Sequence, residues 1–408
     1  MSSTRHAQPG GPLRQERYAS SFESGLLANL VAKRVAVIES AEDRALVWFV
    51  QWRSWSLGSM AQLAGSSKMQ PEELVELCLA PWREEEGWIP QGQQGLWRCE
   101  REALTIAKTA WLASLEKPVE TSIGAQIARE LHYTRSARTI ALIDGAARIG
   151  KTFAVRDWCL KSAGLVRYVE TPASGDDISF FRAIARSLGV SSSLQMKAAE
   201  LRSRVEEALS TGDLMLVFDE AHYLWPQSWQ RYAMPSRVNW IMTALANRQI
   251  PVALITTPQF YTAQRRVEDL TGWASEQFIG RVGHVVRLPP HLHKEDLVAV
   301  AKALLPTADR AAWNAVAGYA LLSKKHLASV DAIAKRASWL ASQRGLAAPT
   351  NKDVRQAMKE SVMPSDAAVS EALSKPRPRR GQFAKVPRVE RGGFAAVAPA
   401  LPQERARF

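Results

Sequence analysis

The feature that most constrains this chain is the stretch Gly145-Ala-Ala-Arg-Ile-Gly150-Lys151-Thr152, because of what flanks it. An apolar segment (RTIALID, 138–144) runs into it, and a helical pattern opens at Lys151. A strand, a glycine-bounded loop and a helix in that order turn successive backbone N–H groups inward at the positive end of a helix dipole. That geometry suits a nucleoside triphosphate. Gly145, Ala146, Ala147, Arg148, Ile149, Gly150, Lys151, Thr152 and Phe153 are expected to wrap the phosphates. Lys151 supplies a point charge and Thr152 a hydroxyl for Mg²⁺. A second apolar run, Leu214-Met-Leu-Val-Phe218, ends in Asp219 and Glu220. Two carboxylates at a strand end complete what Mg²⁺-dependent hydrolysis needs. Asp219 would hold the metal, directly or through water, and Glu220 would orient the attacking water. ATP and Mg²⁺ are therefore the expected ligands.

Periodicity around these motifs gives the fold class. Further strands are expected at 165–171, 251–256 (PVALIT) and 282–288. Between them, Ile178, Phe181, Ile184, Ala185 and Leu188 recur at helical spacing, as do Ala198, Leu201, Val205 and Leu209. A further helix is expected with Pro235 near its start. Strands alternating with helices make an α/β parallel sheet. After Pro290 only helical stripes remain, the last starting near Thr350 or Asn351. The expected division is a mainly helical N-terminal domain (1–118), a nucleotide-binding core (119–288), a helical lid (289–363) and a basic tail without packed structure (364–408).

Before residue 118 lie seven of the chain's 14 tryptophans. Ser56 to Ser67, with a turn at Gly65, followed by a helix opened by Pro71, suits a helix-turn-helix or an ordinary helical hairpin. Glu72, Glu73 and Glu76 make that second helix acidic, which suits DNA poorly, and the module could equally bind protein. Trp82, Trp88 and Trp97 are expected to pack this domain. The tail from Lys375 carries nine basic residues against Glu390 and Glu404, within a net charge of +13. It reads as an electrostatic anchor for DNA, a charged docking peptide or a merely solubilising tail. A hydrophobic fraction of 46% excludes wholesale disorder. No apolar run nears the roughly 18 residues of a membrane span. Three scattered cysteines offer no disulfide framework or zinc cluster. The expectation is a soluble, cytoplasmic protein with no membrane partner.

Asp219-Glu-Ala-His222 reads DEAH, yet the small helical bundle after Pro290 leaves no room for the second motor domain of a helicase. The phosphate loop, the DEAH strand end, Thr256-Thr257-Pro258 and Phe278-Ile-Gly-Arg281-Val together resemble the AAA+ ATPases. Within them the sequence is similar to the DNA-transposition ATPases of the phage Mu B, IstB and TniB type, and the secretion ATPase ExeA has similar motifs. The resemblance runs from about Ser122 to Lys359. It implies that Thr257 (or Thr256) senses the γ-phosphate or attacking water, and that Arg281 is a finger completing a neighbouring subunit's site. It implies that Arg182, Arg186, Lys197, Arg202 and Arg204, between the second strand and Asp219, face DNA; solvated helix faces would look the same. It further implies a homo-oligomeric ring or helical filament on double-stranded DNA, with a transposase or other recombination protein as partner. The lid departs from the pattern. The usual sensor arginine falls near Ala328, leaving Lys324, Lys325 or His326 as substitutes. A helicase loader or replication initiator, and a signalling or defence switch with a protein-binding N-terminal domain, are the alternatives.

Overall fold

The computed structural model describes residues 26–79, 98–115, 118–162 and 164–360. Trp82, Trp88, Trp97 and the basic tail lie outside the described residues. Helices α1 (Ala28–Ala36), α2 (Ala41–Leu57), α3 (Met60–Ser67), α4 (Pro71–Leu79) and α5 (Arg98–Ser114) come first. The α/β part follows as α6 (Ser122–Ser136), β1 (Ile140–Asp144), α7 (Lys151–Lys161), β2 (Val166–Glu170), α8 (Asp177–Leu188), α9 (Ala198–Thr211) and β3 (Met215–Asp219). It continues with α10 (Ser236–Trp240), β4 (Val252–Thr256), α11 (Gln259–Thr271), α12 (Glu276–Ile279) and β5 (Val282–Arg287). Helices α13 (Lys294–Leu304), α14 (Arg310–Leu322), α15 (His326–Gln343) and α16 (Asn351–Lys359) close the described chain.

The five strands are all parallel, in the order β2-β3-β4-β1-β5. Strands buried on both faces read as unbroken apolar runs, and β1, β3 and β4 are buried at every position. Alternate residues face opposite sides. Leu142, Leu216, Phe218 and Leu254 join one apolar cluster with α8, α9 and the N-terminal helices. Ile143, Val217, Ala253 and Ile255 join another with α6, α7 and the last four helices. The strand ends are in register: Asp144 lies beside Thr256 and Arg287, and Glu170 beside Asp219. One edge of the sheet therefore presents a row of polar side chains.

Two local expectations change. The turn in the N-terminal hairpin falls at Lys68, left-handed at φ 58°, and Gly65 lies inside α3. Ser56 and Leu57 belong to the preceding helix, which ends at Gly58. The amphipathic stretch after Pro235 is also not one regular helix: α10 runs into a π turn (Ile241–Leu245) and then a 3₁₀ turn (Ala246–Arg248). Side-chain periodicity does not distinguish these windings over so few residues.

The N-terminal helices join the sheet through a polar seam. Arg167, on β2, is 1% exposed, and among the described residues it has no carboxylate partner. Its guanidinium donates to Gln51 Oε1 at 2.8 Å and to Gly164 O, and lies 5.6 Å from the Trp48 ring centroid. Burial without a counter-ion pulls its pKa down to about 9. Gln51 in turn donates to Leu26 O and Leu188 O, and Trp48 Nε1 to Gly212 O. Gly164, at φ 92°, sits where a Cβ would come within 2.7 Å of the backbone of Trp48 and Phe49, so only glycine allows α2 this close. Gln51→Leu removes the side-chain acceptor of a buried cation. We expect a loss of about 2–3 kcal/mol in denaturant unfolding, the range for hydrogen bonds to charged groups.

Candidate nucleotide site

The site forms where β1 and β3 deliver their last residues to the polar edge of the sheet. The loop leaving β1 passes through Arg148 (φ 68°) and Gly150 (φ 94°) before α7 begins at Lys151. Gly150 is tightly constrained, since a Cβ there would stand 2.7 Å from Leu327 Cδ1 at the start of α15. Ile149 is buried beneath the loop, while Ala147 and Arg148 face solvent. The lid thus touches the loop itself.

Lys151 is 9% exposed and its Nζ donates to Gly145 O and Ala146 O, each at 2.7 Å. Burial lowers its pKa, and Glu220, Asp219 and Asp144 oppose that shift. Asp144 responds in the opposite sense. Burial raises its pKa, Lys151 and Arg287 pull it back, and its Oδ1 is buried without a hydrogen bond among the described residues. Asp219 is held rigidly: Oδ1 accepts from Glu220 N and Oδ2 from the Tyr168 hydroxyl, both at 2.9 Å. Tyr168 lies 4.9 Å beneath the Arg156 guanidinium, which also binds Glu170 at 2.9 Å. Glu220 leaves β3 in the left-handed region (φ 52°), conformational strain of the kind found at functional sites. Its carboxylate lies 3.3 Å from His222 Nδ1. Burial lowers the pKa of His222, disfavouring the imidazolium.

An open cleft of about 690 Å³ lies over these groups, lined in part by Ala147, Glu170, Thr171, Glu220, His222 and Thr257. The two threonines ending β4 differ. Thr256 is 1% exposed and donates to Thr257 O, whereas Thr257 Oγ1 is buried with no partner among the described residues. Of the two, Thr257 lines the cleft and has the unpartnered hydroxyl.

Arg281 is not in this site. It precedes β5 and so lies at the opposite edge of the sheet, bonded to Asn247 Oδ1 and Gln277 O. Phe153 is 63% exposed on α7. Among the lid candidates, His326 is buried with Nε2 3.4 Å from His291 Nδ1, while Lys324 is exposed. Arg202 pairs with Glu206, Arg204 with Glu200, and Arg182 donates to Leu194 O. Arg186 and Lys197 are exposed.

The residues fit a Mg²⁺–nucleotide pair. Among the described residues no group of three or more His, Cys, Asp or Glu could hold a metal unaided. Thr152 and Asp219 would hold Mg²⁺ together with phosphate oxygens and water, and the ion would neutralise charge on those oxygens. Lys151 can exchange its two loop carbonyls for phosphate oxygens. Glu220 can accept a hydrogen bond from water in the cleft. His222 stood in the DEAH stretch without a role assigned to it, and Asp144, Tyr168 and Arg156 were not singled out by motif. Only Tyr168 left a readable signal, since strand alternation puts it on the same face as the α7 side of β2.

The family model described as AAA domain matches residues 134–263. That stretch, from the end of α6 to the start of α11, is similar to this family. With its strand order and phosphate loop, the fold is that of the P-loop AAA+ proteins. Among solved structures, the chain is similar to the ORC2 protein of Aeropyrum pernix in its ADPNP and ADP complexes, at 14% identity over 60% of this chain and 70% of that one (TM-score 0.43). It is also similar to Cdc6p of Pyrobaculum aerophilum, at 17% identity over 62% and 70% (TM-score 0.44). The RuvB Holliday junction branch migration motor of Thermotoga maritima matches at 13% identity over 58% and 68% (TM-score 0.37). No curated protein matches the sequence. Among the described residues no helix is long and apolar enough to cross a membrane.

Thr257→Val tests the cleft assignment. Hydrolysis should fall about a hundredfold, as when a preorganised donor to developing charge is removed. The unfolding midpoint should not fall, because the deleted hydroxyl has no partner to lose.

Proposed function

We propose that the chain is a cytoplasmic ATPase that assembles on double-stranded DNA as a ring or helical filament and regulates transposition or target selection through a transposase or other recombination protein. One observation carries the assembly. Asp219, Glu220 and Thr257 stand at the C-terminal ends of their strands, whereas Arg281 stands before the N-terminal end of β5. A strand of this length spans roughly 20 Å, so Arg281 can serve a nucleotide only in another copy. Hydrolysis then couples to assembly because each site needs two chains.

Three substitutions test this. Lys151→Ala should abolish ATP binding, while Glu220→Gln should keep binding and stall hydrolysis, as only the water-positioning group is lost. Arg281→Ala should bind ATP and hydrolyse poorly, and mixing it with Glu220→Gln should restore part of the turnover. Oligomers that form in the mixture without any recovered turnover would exclude a finger acting between chains.

DNA binding is supported by the charge distribution. Among the described residues Arg186 and Lys197 make no ion pair, so their substitution should weaken binding more than that of Arg202 or Arg204, which are engaged within α9. Residues 375–408 hold nine basic side chains against two acidic ones. Each phosphate contact contributes about 0.9 units to the log–log salt slope on duplex DNA, so deleting the segment should lower the slope by roughly four if it makes four or five contacts. Binding isotherms at several salt concentrations, with and without ATP, measure this.

A second reading has its own observation. The exposed face of α4 carries Glu72, Glu73 and Glu76, a surface suited to a protein. A switch that binds protein through its N-terminal helices would hydrolyse ATP without ATP-dependent duplex binding. A helicase loader or replication initiator would share the DNA dependence and differ in partner.

A further inference from the structure

A cavity lined by three arginines lies away from the phosphate loop. It is a pocket of about 300 Å³ at the edge of the sheet where the strands begin, lined in part by Arg44, Arg138, Arg248, Ser210 and Asp213. The arginines come from separate elements: Arg44 from the first turn of α2, Arg138 from the entry to β1, and Arg248 from the 3₁₀ turn before β4. Convergence of distant segments on one cavity is what a binding site requires and what a random solvated surface lacks.

Protein groups do not balance this charge. Asp213 is the carboxylate lining the pocket, and it pairs with Arg138. Arg44 donates to the carbonyl oxygens of Ile38 and Glu39 at 2.9 and 2.7 Å. Arg248 reaches Glu206 only at 3.6 Å, and the same carboxylate already accepts from Arg202 at 2.7 Å and Trp240 at 2.9 Å. Burial and Arg138 lower the pKa of Arg135 against the pull of Asp213, and burial and Arg135 lower that of Lys108 against the pull of Glu42. Both residues of the Arg138–Asp213 pair are left-handed, at φ 50°, a conformation that costs energy in a residue with a Cβ.

We propose that this pocket binds a phosphate group. A carboxylate would satisfy one guanidinium fork, whereas three forks around a small cavity match the several oxygens and higher charge of a phosphoryl group. The site is separate from the nucleotide cleft: β1 runs from Arg138's end of the sheet to Asp144, about 15 Å at 3.3 Å per residue. Two sources could supply the group, a small phosphorylated anion or the backbone of a nucleic acid.

The test uses the full chain with Mg²⁺ and a saturating non-hydrolysable ATP analogue, so that the phosphate loop is filled. Calorimetric titration with inorganic pyrophosphate should reveal one further site, weakened at least tenfold by Arg44→Gln and by Arg248→Ser, with affinity for the ATP analogue unchanged. Arg248 is exposed, and Arg248→Glu, which reverses its charge without disturbing packing, should abolish that binding. If pyrophosphate does not bind, a backbone source requires that each substitution lower the salt slope of duplex DNA binding by about one unit. If neither pyrophosphate nor duplex binding responds to these arginines while affinity for the ATP analogue is intact, the proposal is wrong.

Discussion

A lysine buried among carboxylates is the interaction on which the rest of this structure depends. The effect of burial on Lys151 is opposed by the charges of Glu220, Asp219 and Asp144, and two loop carbonyls accept its hydrogen bonds. Those carboxylates come from β1 and the end of β3, so the cluster exists only when the strands are in register. The parallel order and the apolar burial of β1, β3 and β4 thus serve one purpose at the polar edge. They bring three carboxylates within electrostatic reach of one cationic side chain. Electrostatics of this kind is stronger inside a protein than in water, and it punishes disorder correspondingly.

β2 carries this arrangement outward. On one face Tyr168 fixes Asp219, and on the other Arg167 enters the seam with Gln51 and Trp48. Successive residues of a strand point in opposite directions. A two-residue span therefore connects the carboxylate expected to hold a metal with the N-terminal helices.

How much of this could be read beforehand varied with the range of the interaction. The strand, the glycine loop and Lys151 were legible because phosphate binding uses consecutive residues, and so were Asp219 and Glu220, at the end of an unbroken apolar run. All five strands followed from periodicity to within a residue or two at their ends, and the lid helices as apolar stripes without defined ends. Thr257 could not be separated from Thr256 until the hydroxyl of Thr256 was seen to turn back on the backbone. Asp144 looked like an ordinary strand terminus, and its proximity to Arg287 depends on the β1–β5 pairing. Arg167, read within a strand of mixed polarity, offered no hint of a fully buried charge. The turn at Lys68 was misplaced because glycine is the more usual left-handed residue, and a lysine took that conformation instead.

The uncompensated guanidinium of Arg167 has a consequence for how this protein could be taken apart or signalled to. Its partners are two carbonyl oxygens at the start of β2 and, from α2, the Gln51 amide and the Trp48 indole face. A shortened chain starting at α6 would meet water along the apolar surface now shared with α1 to α4, and would expose the unpaired side of β2 to other chains. The N-terminal helices are in that sense part of the sheet's own core, and anything that binds them meets a surface continuous with it.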